Sequence, residues 1–427
     1  MKVLVVGGGG REHAIIRKLK ESPQVTELYA APGNGGIGYD AVCVPIGATE
    51  VERLCAWAEE NRMDYVVVAP DDPLAMGLVD LLEEKGIPAF GPTAAAARIE
   101  SSKAFAKDLM KRYHIPTARY ETFTEVEKAR AYLEANSDWP VVIKADGLAL
   151  GKGVLICEAL SQALSAVEEM MVGGKFGNSG NTVVIEEFLT GPEVSVLAFT
   201  DGETVAPMVS SMDHKRALNG DRGLNTGGMG TVAPNPYYTP EIAAECMEKI
   251  FRPTVAAMNA EGRTFRGCLY FGLMLTPDGP RVIEYNCRFG DPETQVVLPL
   301  LKSDLYTVMQ AVTQGRLKDV EVKFSDGAAA CVILASGGYP ERYEKGRAIA
   351  GLWEGQLPEG GATVYHAGTA QTDQGIVTAG GRVLGVTAVG ETLSEALAQS
   401  YDAVKKISFA GMHMRTDIGA RALAAEE

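Results

Sequence analysis

Glu284, Asn286 and Arg288 alternate along the run Val282-Ile283-Glu284-Tyr285-Asn286-Cys287-Arg288, so a β-strand there puts all three on one face and Ile283, Tyr285 and Cys287 on the other. A carboxylate beside an amide oxygen is a hard-oxygen pair suited to magnesium or manganese, with coordination positions left for phosphate and water. Arg288 adds a fork of donors for a phosphoryl group whose charge spreads during transfer. A lone polar strand face can simply meet water. The charged turn Gly290-Asp291-Pro292-Glu293 at the same end marks this one as a wall of a metal-nucleotide site.

Other segments are consistent with that chemistry, each weaker alone. The apolar strand Val141-Val142-Ile143-Lys144 leads into Ala145-Asp146-Gly147-Leu148-Ala149-Leu150-Gly151-Lys152-Gly153. Its glycines let backbone amides approach phosphate oxygens and its two lysines add charge, although the Walker spacing is absent and a plain β-turn explains the stretch as well. Glu186-Glu187-Phe188-Leu189 precedes Thr190-Gly191-Pro192-Glu193. It offers backbone to an adenine edge, apolar surface to its face and a carboxylate to ribose, or else is a solvated acidic strand end. At the N-terminus a strand, the turn Gly7-Gly8-Gly9-Gly10 and a helix start at Arg11-Glu12-His13 coincide, an anion-binding geometry. The dinucleotide fingerprint fails because Glu12 holds the third glycine position, so the expectation is a phosphate-sugar site with Pro32-Gly33-Asn34 contributing. His13 reads equally as a ligand-binding group or a first-turn residue. Asp213-His214-Lys215-Arg216 opens a glycine-rich segment ending Asn225-Thr226-Gly227-Gly228-Met229-Gly230, a substrate-covering loop or a solvated charged face. His114 and His413 read as structural.

The elements that must position these residues fall into three stretches. Strands at 2–6, 25–30, 65–69 and 89–90 alternate with helical segments at 12–21, 51–61 and 74–84, the rhythm of a parallel, Rossmann-like βαβ sheet. A helix signal begins at Glu100-Ser101-Ser102-Lys103. Beyond it, helices at 125–136 and 160–171 and strands at 141–144, 153–157 and 182–186 suggest a small α+β lobe. Residues 218–230 read as a loop, 241–259 as a helix, and 266–276 with 281–287 as a hairpin turning at Pro277-Asp278-Gly279. From Ala328 a strand-rich unit closes with a helix at 393–406. The expected divisions are 1–101, 102–325 with its small lobe at about 120–190, and 326–427.

Composition narrows the setting. At 427 residues the chain exceeds what one hydrophobic core supports. With 46% apolar and 22% charged residues and no run of ~18 apolar residues, it reads as a soluble multidomain protein, expected in the cytoplasm without a signal peptide. Seven scattered cysteines without a Cys-x-x-Cys pair argue against a zinc or disulfide framework. A net charge of -15 argues against a nucleic-acid or anionic-membrane partner, so any anionic ligand depends on local lysines, arginines and amides.

The runs Gly7 to Ala14, Pro32-Gly33-Asn34, Gly91-Pro92-Thr93, Lys103, Lys144 to Gly153, Asp213 to Gly230, Glu284 to Gln295 and Asp417-Ile418-Gly419, in this order, resemble the ATP-grasp superfamily. Over nearly the whole chain they are similar to the phosphoribosylamine-glycine ligase family within it. The resemblance implies an α/β fold: a Rossmann-like N-terminal domain, an ATP-grasp core of two α+β lobes and a small strand-rich C-terminal domain. It implies an ADP-forming ligase joining glycine to 5-phosphoribosylamine through glycyl phosphate, with ATP and Mg2+ or Mn2+, as a monomer or weak homodimer. Another ATP-grasp ligase or carboxylase is the alternative. By the same resemblance, Lys103, Lys144, Gly151, Lys152 and Gly153 contact ATP phosphates. Glu186, Glu187, Phe188 and Leu189 surround adenine, and Glu193 meets ribose. Glu284 and Asn286 bind the metal, while Arg288, with Lys144 and Asp213, serves the chemistry. Asp213, Asn225, Thr226, Gly227 and Arg288 face glycine and the amine, and Gly9, Gly10, Arg11 and Asn34 face the ribose phosphate. Two departures stand out: Pro70-Asp71-Asp72-Pro73-Leu74 has Asp71 where the family often has glutamate, and Tyr270-Phe271-Gly272-Leu273-Met274 supplies no partner-strand carboxylate for a second metal.

Overall fold

The computed structural model describes residues 1–148, 153–174 and 177–426. Gly151 and Lys152, two of the expected nucleotide contacts, lie outside the described residues. The first sheet comprises β1 (Lys2–Gly7), β2 (Glu27–Pro32), β3 (Val42–Cys43), β4 (Tyr65–Val68) and β5 (Ala89–Phe90), all parallel in the order β3-β2-β1-β4-β5. Val3, Leu4, Val5 and Val6 of the central strand are fully buried because both faces of the sheet are covered. The strand order reverses at β1, and the helix Gly10–Lys20 starts at its carboxyl end. The helix expected over 74–84 is two, Asp71–Ala75 and Leu78–Glu84, split where Gly77 takes φ +86.

The helical signal near Lys103 also divides differently. One helix, Ala94–Ser101, starts before the expected position, capped by Thr93. A second, Lys103–Arg112, is capped by Ser102, whose extended backbone forms the joint. Glu100 therefore closes one helix and Lys103 opens the next. The small lobe follows as an antiparallel sheet, β6 (Tyr120–Phe123), β7 (Val141–Ala145), β8 (Val154–Cys157) and β9 (Val183–Glu187), ordered β6-β9-β7-β8. Helices Val126–Glu134 and Leu160–Met171 cover one face, and Leu133, Ile143, Val167 and Ile185 belong to a core of its own.

The chain then forms β10 (Glu193–Thr200), β11 (Val205–Pro207), β12 (Met212–Asp213), β13 (Arg216–Leu218), β14 (Arg222–Asn225) and β15 (Gly230–Ala233). After a long helical stretch come β16 (Gly267–Thr276) and β17 (Gly279–Asn286). β11, β10, β16 and β17 make one antiparallel sheet in that order. The segment expected as a loop over 218–230 is largely ordered: β13 and β14 pair as a hairpin around Asn219-Gly220-Asp221. β18 (Ala328–Ala335), β19 (Thr363–His366), β20 (Thr369–Thr372), β21 (Gly375–Thr378) and β22 (Arg382–Gly390) complete the strands. The C-terminal sheet, ordered β12-β15-β18-β22-β19, includes two strands from the middle of the chain, so the last stretch is not a separate sheet. Among the described residues no helix is long and apolar enough to cross a membrane.

Candidate active site

A cavity of about 910 Å³ opens between the small lobe, the β10–β17 sheet and the C-terminal sheet. Glu284, Asn286 and Arg288 line it, but simple alternation does not place them there. Gly272 pairs with Glu284 and Leu273 with Val282, leaving Ile283 as a bulge. The extra residue shifts the phase, so Val282, Tyr285 and Cys287 share the core while Glu284 and Asn286 turn to the cavity. The strand ends at Asn286, and Arg288 lies beyond it. What fixes these groups is a residue that the sequence did not single out. Glu100 Oε1 accepts from Asn286 Nδ2 at 3.0 Å and lies 2.9 Å from Arg288 Nη2, while its Oε2 accepts from Cys287 N at 2.7 Å. Burial pushes the Glu100 carboxyl up, opposed by Arg288. Burial also acts to raise Glu284, but Lys215, Lys144, Lys103 and Arg288 outweigh it and hold that carboxyl below its ordinary value.

The small-lobe side carries two of the expected cations. Lys103 Nζ donates to Gly147 O at 2.7 Å, and Lys144 Nζ lies 3.0 Å from Glu186 Oε1 and donates to Ile283 O at 3.1 Å. Lys107, one turn beyond Lys103 on the same helix, lies 2.8 Å from Glu186 Oε2, and burial lowers its pKa to about 8. Glu186 is thus gripped between two lysines. Its expected place beside adenine holds only in that it lines the cavity with Glu187, Phe188, Leu189, Gly153 and Glu193. The Glu187 carboxylate is committed to Arg119 N and Nε, both at 2.8 Å, and Arg281 at 3.3 Å, leaving its backbone and the half-exposed Phe188 for a ligand. Lys215 Nζ sits 3.2 Å from Glu193 and 3.8 Å from Glu284, and those charges raise its pKa.

Opposite lies the glycine-rich segment. Asp213, Asn225, Thr226 and Gly227 line the cavity. Thr226 Oγ1 donates to Lys215 O at 2.8 Å, and Arg382 Nη1 donates to Gly227 O at 2.7 Å and Asp291 O at 2.9 Å. Burial, then Glu293, pushes the Asp213 carboxyl up. The C-terminal segment clamps the hairpin. Arg415 donates to Asp221 and to Arg216 O, Asn219 pairs with Thr416, Gly220 N donates to Asp417, and Gly419 N donates to His214 Nε2.

The N-terminal group is only partly brought to the cavity. Arg11 lines it, bonded to Glu12 and Phe289 O. Gly9, Gly10 and Asn34 do not. Gly9 N donates to Glu12 Oε2 at 2.6 Å, and a Cβ at Gly10 would stand 2.6 Å from Gln295 Nε2. Asn34 spends both amide hydrogens on Gly8 O and His366 O, and its oxygen accepts from Gly36 N and Ile37 N. Its side chain is a backbone clamp that holds the turn together. His13 is fully buried, with Nε2 bonded to Asp40 and Nδ1 accepting from His366 N, so the structural alternative is the one observed.

Three family models of phosphoribosylglycinamide synthetase match the chain in sequence order: the N domain over residues 1–100, the ATP-grasp (A) domain over 101–294 and the C domain over 329–421. A phosphoribosylamine-glycine ligase of Caldanaerobacter subterraneus subsp. tengcongensis is 49% identical over 98% of this chain and 100% of its own length. This chain belongs to the phosphoribosylamine-glycine ligase family. Another member, from Nostoc sp., is 49% identical over 99% of both chains. The crystal structure of the Thermotoga maritima member superposes with a TM-score of 0.86 at 37% identity, covering 98% of this chain and 100% of that one. The biotin carboxylase domain of Hydrogenobacter thermophilus 2-oxoglutarate carboxylase, in complex with MgADP and bicarbonate, shares the fold at a TM-score of 0.76 and 18% identity, covering 100% and 94% of the two chains. The α/β architecture expected for the family, with an N-terminal parallel sheet, an ATP-grasp core and a strand-rich C-terminal part, is the one observed.

The donor set fits a divalent cation of the kind this ligase family is expected to use. Glu284 offers a carboxylate; both Asn286 amide hydrogens are spent on Glu100 and Tyr285 O, and its amide oxygen has no hydrogen-bond partner among the described residues. Gly272 faces Glu284, so the opposite strand adds no carboxylate, and among the described residues no cluster of three or more His, Cys, Asp or Glu forms a metal cage. A cation held by these two residues would draw its remaining ligands from phosphate oxygens and water.

Proposed function

We propose that the protein catalyses the ATP-dependent ligation of glycine to 5-phosphoribosylamine, giving glycinamide ribonucleotide, ADP and phosphate. The observation that carries this reading is the convergence, on one cavity, of Glu284, Asn286 and Arg288 with Lys103, Lys144 and the Asp213–Gly227 wall in a chain of this family. A glycine carboxylate cannot acylate an amine directly, because its oxygen is a poor leaving group. Its oxygen attacks the γ-phosphorus, the bond to the ADP oxygen breaks, and glycyl phosphate results. The amine nitrogen then attacks the acyl carbon, and phosphate leaves.

Positioning and charge stabilisation carry most of such a reaction. Lys103, Lys144 and Gly153 would hold the phosphates, with the strip Glu187 to Leu189 against adenine and Glu193 on ribose. Arg288, whose Nε is buried without a partner, has a donor left for the transferring oxygens. A magnesium or manganese ion held by Glu284 and Asn286 would neutralise the phosphate oxygens during transfer. Asp213, made more basic by burial and by Glu293, would take the proton released as the amine attacks. Hydroxylamine added with ATP and glycine should yield glycine hydroxamate. No hydroxamate under conditions that support turnover would count against a free glycyl phosphate.

A further inference from the structure

Nothing in the chemistry above requires Glu100, yet it makes three bonds to the strand end that bears the metal and phosphoryl groups. All three partners are donors: the Asn286 amide, the Cys287 backbone N–H and the Arg288 guanidinium. The side chain is buried, and an acceptor-only carboxylate is the head group that satisfies such a set. Two consequences follow from counting hydrogens. Asn286 Nδ2 has both of its hydrogens engaged, one by Glu100 and one by Tyr285 O, so its amide has one orientation, with the oxygen left for a cation. Arg288 is held through Nη2 by Glu100 and through Nη1 by Phe289 O, and its Nε remains the unpartnered buried donor.

We propose that Glu100 is a positioning residue for phosphoryl transfer, fixing the Asn286 amide so that its oxygen faces the metal and fixing the Arg288 fork so that its free donor faces the transferring group. The inference rests on the site reading above and adds the residue that sets its geometry. Glutamine at position 100 would turn one donor toward this all-donor set. With its oxygen kept on Cys287 N, its amide nitrogen would face Asn286, which can relieve the conflict only by flipping and presenting its own nitrogen to the metal. Aspartate at 286 cannot suffer this, because it has an oxygen on either side.

The test is Mn2+ titration of the full chain in the presence of ADP, with free Mn2+ followed by electron paramagnetic resonance and ADP binding without metal measured in parallel. For Glu100→Gln, the expected result is a loss of about 10- to 100-fold in ADP-dependent Mn2+ affinity, the usual effect of removing a partner that orients a metal ligand. Metal-free ADP binding should be unchanged. Adding Asn286→Asp to Glu100→Gln should bring Mn2+ affinity to that of Asn286→Asp alone, because an aspartate needs no orienting, which a merely structural role for Glu100 would not produce. Affinity in Glu100→Gln within about twofold of the unaltered protein would overturn the proposal against that expected range. So would a double variant weaker than Asn286→Asp alone. Where Glu100→Gln alone folds poorly, the double variant is compared with Asn286→Asp alone: equal Mn2+ affinity supports the assignment and a further loss overturns it. Absence of ADP-dependent Mn2+ binding in the unaltered protein would overturn the site reading, and this inference with it.

Discussion

Replacing Arg288 with lysine separates charge from geometry at the point where the two are most entangled. Arg288 Nη2 lies 2.9 Å from Glu100, its Nη1 donates to Phe289 O at 3.2 Å, and its Nε is buried without a partner. Lysine keeps a cation beside the buried Glu100, so the pair is not broken, but it has no planar fork with a third donor to spare. Losing one donor aimed at developing charge costs about 10²- to 10³-fold in kcat, or roughly 2.7–4 kcal/mol. Methionine instead strands the Glu100 carboxylate, and breaking a buried pair from one side costs about 3–5 kcal/mol of stability. Arg288→Lys should therefore lose about 100- to 1000-fold in kcat for ADP release while melting within about 1 °C of the unaltered protein, equivalent to roughly 1 kcal/mol for a chain of this size. Arg288→Met should lose both activity and stability. Arg288→Lys with kcat within about tenfold of the unaltered protein, or Arg288→Met with no loss of stability, would refute the assignment of the two roles to this one side chain.

Three other outcomes are expected. His214 is buried, with its pKa lowered to about 4, first by burial and then by Arg415. A depressed folded pKa gives stability that is present above about pH 6.5 and lost as pH falls toward 4, up to about 3 kcal/mol, so His214→Gln should flatten that part of the urea-unfolding profile. Arg415→Met frees the β13–β14 hairpin from the C-terminal segment. It should raise KM for glycine or the amine by about tenfold, the equivalent of roughly 1.4 kcal/mol, with KM for ATP unchanged in steady-state assays. Gly228 takes φ +117, and a Cβ there would stand 2.5 Å from Pro292 Cδ and 2.6 Å from Asp213 Oδ1. Gly228→Ala should cost about 1–3 kcal/mol in denaturant unfolding and depress turnover by displacing Asp213.

The site was readable in the sequence where a local pattern sets the outcome. The apolar runs of the first sheet, the hairpin ending in Glu284 and Asn286, and the helix at 160–171 follow from periodicity and turn residues alone. Long-range pairing was not readable. Glu100 reaches Asn286 across 186 positions, and nothing in its neighbours announces three donors waiting there. The Ile283 bulge was hidden as well, since it depends on the register against β16, which periodicity in one strand does not contain. Lys107 had a usable signal, because it stands four residues after Lys103 on one helical face. The clamp made by Asn34 was not readable either: a glycine-flanked asparagine beside a glycine turn does not announce that its side-chain atoms hold the turn together. The make-up of the C-terminal sheet was hidden for a related reason, as β12 and β15 join β18 only through pairing across the fold.

The most direct test is ADP release with ATP and Mg2+ when glycine and freshly generated 5-phosphoribosylamine are supplied singly and together. Rapid release that needs both, with one glycinamide ribonucleotide formed per ADP, is the predicted result. Release driven by bicarbonate, or equal release whichever of glycine and the amine is left out, would contradict it.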